Sequence, residues 1–139
     1  MTLTLHLQIV GVLLVILGLS HWFFNRYFGW QRELASISLL TRQVFFVHTF
    51  FIGLGVVMVG LVSFLYTNAL LRPNSLSCAI LAGMTTFWLC RLLVQLFVYD
   101  AAIWRGKPFW TLMHLVFSAL WIYVTATYAT ALVSVWRRS

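Results

Sequence analysis

The chain has 139 residues, of which 63% are hydrophobic and 8% charged, with a formal net charge of +7. A soluble domain carries roughly a quarter charged residues, so the composition excludes an ordinary water-soluble fold and indicates a single polytopic membrane domain covering residues 1–139. The positive charge is not a nucleic-acid footprint, because the basic residues stand singly at the ends of apolar runs and form no stripe. Glu33 and Asp100 are the only carboxylates, which leaves little material for two-carboxylate catalysis.

The first apolar run, residues 5–24, is about the length a bilayer requires. It lacks a basic leading segment and a small-x-small cleavage site, so it reads as a membrane helix and not as a removable leader. Gly11 and Gly18, seven residues apart, mark a face that another helix can approach closely. Residues 25–40 form the longest connection. Tyr27, Trp30, Leu34 and Ile37 fall there at helical spacing, which fits a short interfacial helix and equally an irregular loop with interfacial aromatics.

The second run, residues 44–66, follows Arg42 and Gln43 and contains His48. Pro73-Asn74-Ser75 breaks the chain, and Asn74 or Ser75 can cap the next helix. The third run, residues 76–99, contains Arg91, Gln95 and Tyr99 at intervals of four. These three lie within about 80° of one another on a helix. A guanidinium at the centre of a membrane helix costs about 2.5–3.5 kcal/mol on the insertion scale, so the stripe is expected to face protein. Cys78 and Cys90 share this run and are too far apart to pair; they read as small buried hydrophobes. After a short polar loop with Gly106, Pro108 opens the fourth run, residues 109–136, which is longer than a bilayer needs. Short connections imply antiparallel neighbours. The expected fold is therefore an all-α, up-down bundle of four transmembrane helices.

Antiparallel threading converts spacing into depth. His21 precedes Arg26 by five residues, His48 follows Arg42 by six, His114 follows Pro108 by six, and Gln95 precedes Asp100 by five. Each is then about 7–9 Å inward from a polar boundary on the same side of the membrane. His21, His48, Gln95 and His114 are expected in one layer, with Arg91 beneath. Gly55 lies within about 20° of His48, so a flat group can approach the backbone there. Three neutral imidazoles suit haem b or a transition metal ion, and Met113 beside His114 admits copper. Arg91, Gln95 and Tyr99 are the candidates for contacting the rest of such a cofactor. His6 lies near the opposite surface and reads as interfacial, and the seven Trp as interface belts or packing.

This pattern points to a redox cofactor in an electron-transfer or quinone-linked membrane system. The architecture is similar, in shape only, to the four-helix haem anchors of respiratory complexes. The histidine-rich boxes of membrane desaturases are absent. The competing reading is a non-catalytic structural or assembly subunit, in which the histidines form a hydrogen-bond network and the apolar helices pack against other membrane subunits or a second copy. Transport is weaker, since no inverted repeat is visible. A lipid-headgroup enzyme lacks a nucleophile elbow or a paired acid.

The first and third connections hold Arg26, Arg32, Arg42, Arg105 and Lys107, against Arg72, Arg137 and Arg138 on the other side. This places both termini on the non-cytoplasmic face of a membrane such as the bacterial inner membrane. A cysteine introduced beside Arg32 should then resist impermeant reagents in intact cells, while one beside Ser139 is labelled; the reverse pattern overturns the orientation.

Overall fold

The computed structural model describes residues 2–139, apart from the side chains of Phe24, Asn25, Arg26, Phe28 and Gln31. Arg26, used above for charge and depth, thus lies outside the described residues. The described residues are all-α and carry four helices long and apolar enough to cross a membrane. The chain is an integral membrane protein.

Helix α1 spans Leu3–Phe28. Gly29 follows in the left-handed region, at φ 65°, where a residue without Cβ ends a helix at little cost. The connection is helical in pieces: a single turn, α2 (Trp30–Glu33), then a 3-10 turn, Leu34–Ser36. Helix α3, Leu39–Leu65, begins at Ser38, whose hydroxyl accepts the Thr41 N–H at 3.2 Å. It therefore starts five residues before the apolar run expected at 44. The run marks hydrocarbon depth, whereas the helix continues through Arg42 and Gln43 to its cap. A short α4, Thr67–Leu70, precedes α5, Ser75–Leu93. Asn74 caps α5 by accepting the Ser77 N–H at 2.8 Å, as anticipated. Over Val94–Val98 the helix widens to π hydrogen bonding. A 3-10 turn at Ala101–Ile103 leads to α6, Pro108–Trp136, with the proline in its first turn.

The chain forms two compact units: Leu7–Thr67, and Asn68–Ser139 with the first six residues. In the first, α1 and α3 run antiparallel with their backbones nearly touching. A Cβ placed on Gly60 would lie 2.7 Å from the Gly11 oxygen, and one on Gly18 would lie 2.7 Å from the Gly53 oxygen. The buried positions Leu7, Val10, Leu14 and Gly18 on α1, and Gly53, Val56, Gly60 and Ser63 on α3, follow three-and-four spacing. That is the seam of an antiparallel helix pair. Without a hydrophobic drive between helices in lipid, this close packing of small residues supplies the association.

In the second unit α5 packs along α6. Trp121, Val124, Tyr128, Ala131 and Val135 form a buried seam with the same spacing. The far end is tied by Arg138, whose guanidinium donates to the Leu71 carbonyl at 3.3 Å and to the Ser134 carbonyl at 2.8 Å.

Gly60→Leu should separate α1 from α3, because backbone atoms opposite the new Cβ cannot yield; a loss of about 1–3 kcal/mol is expected. Gly55 meets nothing within 4 Å, so Gly55→Ala should be neutral or stabilising by up to about 1 kcal/mol. Thermal unfolding in detergent reads both, and equal losses would contradict the packing.

Candidate functional site

The register of α5 against α6 follows from two pairs of residues seven apart. Trp88 and Gln95 share a face of α5 and its π continuation, and His114 and Trp121 share a face of α6, each pair within about 20°. Antiparallel packing sets Gln95 against His114 and Trp88 against Trp121. Gln95 Nε2 lies 3.1 Å from His114 Nδ1, and the two indoles stack with centroids 5.2 Å apart.

Arg91 joins these layers. One of its terminal N–H groups donates to Gln95 Oε1 at 3.3 Å. Its guanidinium carbon lies 4.8 Å from the Trp121 ring centroid and 5.7 Å from that of Tyr99, within the range of cation–π attraction. Gln95 is only 6% exposed, and it sits in the π turn. Such single wide turns are frequent at functional sites.

The polarity of the chain can be derived. Arg91 is always charged and only donates, so the atom of Gln95 facing it is the oxygen. The amide nitrogen of Gln95 then donates to His114. That fixes His114 as neutral, with its lone pair on Nδ1 and its proton on Nε2. Arg91, Gln95 and His114 form a directed hydrogen-bond relay inside an apolar helix pair.

The loop after α5 holds His114 from the other side. Asp100 Oδ1 accepts the Ala102 N–H at 2.8 Å. Gly106, at φ 76°, turns the backbone through the left-handed region. Thr111 Oγ1 donates to the Trp104 carbonyl at 2.7 Å. This latch sets the Trp104 indole flat against the His114 imidazole, with centroids 4.5 Å apart and planes at 10°.

His21 and His48 belong to the other unit, and each has the opposite tautomer. His21 Nδ1 lies 2.8 Å from the Leu17 carbonyl and His48 Nδ1 lies 2.9 Å from the Val44 carbonyl. A carbonyl oxygen only accepts, so Nδ1 carries a proton in both, and in a neutral imidazole the lone pair is then on Nε2. His21 stands over Gly53, where a Cβ on the glycine would come within 2.9 Å of its own Cβ. His48 was expected on an inward face; it is exposed, and Gly55 on the same face borders open space. Among the described residues no group of three His, Cys, Asp or Glu side chains comes together. The structure thus brings together Arg91, Gln95, Tyr99 and His114.

Sequence reasoning assigned the tryptophans to belts and packing and missed Trp88, Trp104 and Trp121. The seven-residue spacing from Gln95 and from His114 was the available signal for two of them; nothing local marked Trp104. The indole N–H groups of all three are buried without an acceptor, as is Thr125 Oγ1. Each such group costs about 1–3 kcal/mol when nothing pairs with it. His6 bonds the Tyr123 hydroxyl through Nδ1 at 2.9 Å. Both cysteines are free, and neither is buried as expected, Cys78 being half-buried and Cys90 exposed. Two surface grooves, one beside Lys107, Pro108 and Leu112 and one beside Thr130, Ser134 and Arg138, include none of the relay residues.

Comparison with family models, with curated proteins and with solved structures finds no match. The functional reading therefore rests on the chemistry of these side chains.

Gln95→Leu and His114→Phe should each destabilise the protein by about 1–3 kcal/mol. Combined, they should fall short of the sum by at least about 0.5 kcal/mol, because each removes the other's partner. Strict additivity in detergent unfolding would mean that the two side chains do not pair.

Proposed function

We propose that this chain is a redox-linked integral membrane protein that holds haem b or a transition metal ion through histidine, in an electron-transfer or quinone-linked membrane system. The observation that supports this reading is the division of tautomers. His21 and His48 each donate Nδ1–H to a backbone carbonyl, and a neutral His48 then carries its lone pair on Nε2. This is the arrangement by which proteins orient a metal-binding imidazole. His114 keeps its proton on Nε2, which suits a hydrogen bond to a quinone carbonyl or to a cofactor oxygen.

The ligand role falls first on His48. It lies about 140° round α3 from Gly53, against which His21 sits, so the two do not flank a single ion within this helix pair. His48 shares its open face with Gly55, where a flat macrocycle can reach the backbone. His114 can ligate through Nε2 only if Gln95 turns its amide and Nδ1 takes the proton. In this reading Arg91, Gln95 and Tyr99 contact the non-metal part of the cofactor. The Lys and Arg distribution supports both termini on the non-cytoplasmic side of a bacterial inner membrane.

A second reading is favoured by the relay itself, which closes on side chains of α5 and α6. The protein would then be a structural or assembly subunit. Its polar network would specify helix register for packing against other membrane subunits or a second copy.

The visible spectrum and metal content of the protein purified in mild detergent separate the two. A Soret band or near-stoichiometric metal is expected, lost in His48→Ala while the helices stay inserted. A colourless, metal-free protein that His48→Ala leaves unchanged removes the redox reading in favour of the structural one.

A further inference from the structure

We infer that the α5/α6 pair carries a binding site for an oxyanion, a carboxylate or phosphate borne by a membrane-soluble molecule, with Arg91 as its anchor. Arg91 cannot discharge by losing its proton, and neither carboxylate of the chain is among the groups that contact it. Asp100 accepts a backbone N–H of its own loop, and Glu33 is exposed in the other unit. The contacts of Arg91 are one amide oxygen and two aromatic rings. The rings accept no conventional N–H bond and Gln95 takes one, so further guanidinium N–H donors remain for a carboxylate or phosphate, which arginine can hold through paired bonds.

An independent observation points the same way. Trp88 and Trp121 are 2% and 3% exposed, and their indole N–H groups have no acceptor. Trp121 is the ring nearest Arg91, and Trp88 stacks upon it. Trp104, against His114, has a third buried N–H without an acceptor, and the His114 tautomer supplies an Nε2–H. The acceptors bonded within the cluster, Gln95 Oε1 and His114 Nδ1, each already take a hydrogen bond and neither is charged. The surroundings of Arg91 are thus rich in donors and poor in acceptors, and carry an unbalanced positive charge. An oxygen-rich anion corrects both deficits, whereas a cation or a neutral alkyl chain corrects neither. Arg91 lies inside a span of membrane length, where a ligand carried on a membrane-soluble molecule can reach it from the bilayer. A carboxylate-bearing cofactor and an anionic lipid are two sources of this one chemistry.

The site does not require the redox reading. It is tested by thermal unfolding and tryptophan fluorescence in dodecyl maltoside, with dodecanoate, dodecyl phosphate or neutral dodecanol added, and by native mass spectrometry of the purified protein. Wild type should show a saturable rise in unfolding temperature with an anionic amphiphile and none with dodecanol, or should retain a bound anionic mass. Arg91→Leu should lose both. Arg91→Lys, which keeps the charge and loses the fork, should bind about tenfold more weakly and serves if the leucine variant does not fold. Lys107→Leu should behave as wild type. The tighter of the two amphiphiles, or the retained mass, identifies the source. Equal behaviour of wild type and both Arg91 variants overturns the site, as does the absence of any anion-specific shift or bound mass. A colourless protein that still binds the anion sinks only the redox reading.

Discussion

A charge that cannot be neutralised sits inside an apolar helix, and much of α5 and α6 is organised to accommodate it. Arg91 has no carboxylate to meet, so its surroundings offer weaker, distributed compensation: one amide oxygen and the faces of Trp121 and Tyr99. Cation–π contacts strengthen where water is excluded, and the Gln95 carbonyl takes one N–H of the fork. None of these partners carries a negative charge.

That accommodation depends on register. Gln95 meets His114, and Trp88 meets Trp121, only while α5 and α6 keep one alignment. A slip by one residue turns each partner about 100° away. The seam Trp121–Val124–Tyr128–Ala131–Val135 holds the alignment by packing, and Arg138 fixes it at the far end. The π turn at Val94–Val98 adds a residue where Gln95 must be buried while the chain leaves the helix towards Asp100. The latch from Thr111 to Trp104 then sets a flat surface against His114. Polar chemistry inside the pair is directed: the unchanging donor at Arg91 decides which way Gln95 faces, and Gln95 decides the His114 tautomer.

The other pair solves a simpler problem. Glycines at matched positions on α1 and α3 let the backbones approach until a single added methyl would collide. His21 stands at one of these close contacts, while His48 is set on an open face beside Gly55. The two pairs therefore illustrate different uses of helix packing, one excluding side-chain bulk and the other enclosing a polar relay.

Fold class was legible in the sequence because run length and the scarcity of charge are local quantities that a bilayer reads directly. Four spans, the Asn74 cap, the proline opening α6, and the close approach at Gly11 and Gly18 all follow from such local rules. Spacing and matched depth also set Arg91, Gln95 and His114 near one another, where they bond, but Tyr99, expected on the same inward helical stripe, is exposed and lies past the helix end in extended backbone. Helix ends were not legible, because a helix continues to its cap, as at Ser38 and Gly29, and not to the edge of the hydrocarbon. The His114 tautomer, the exposure of His48 and the recruitment of Trp88, Trp104 and Trp121 were decided only by tertiary structure. Each depends on which atom of one element comes within bonding distance of another, and side-chain direction across a helix contact is not written in spacing alone.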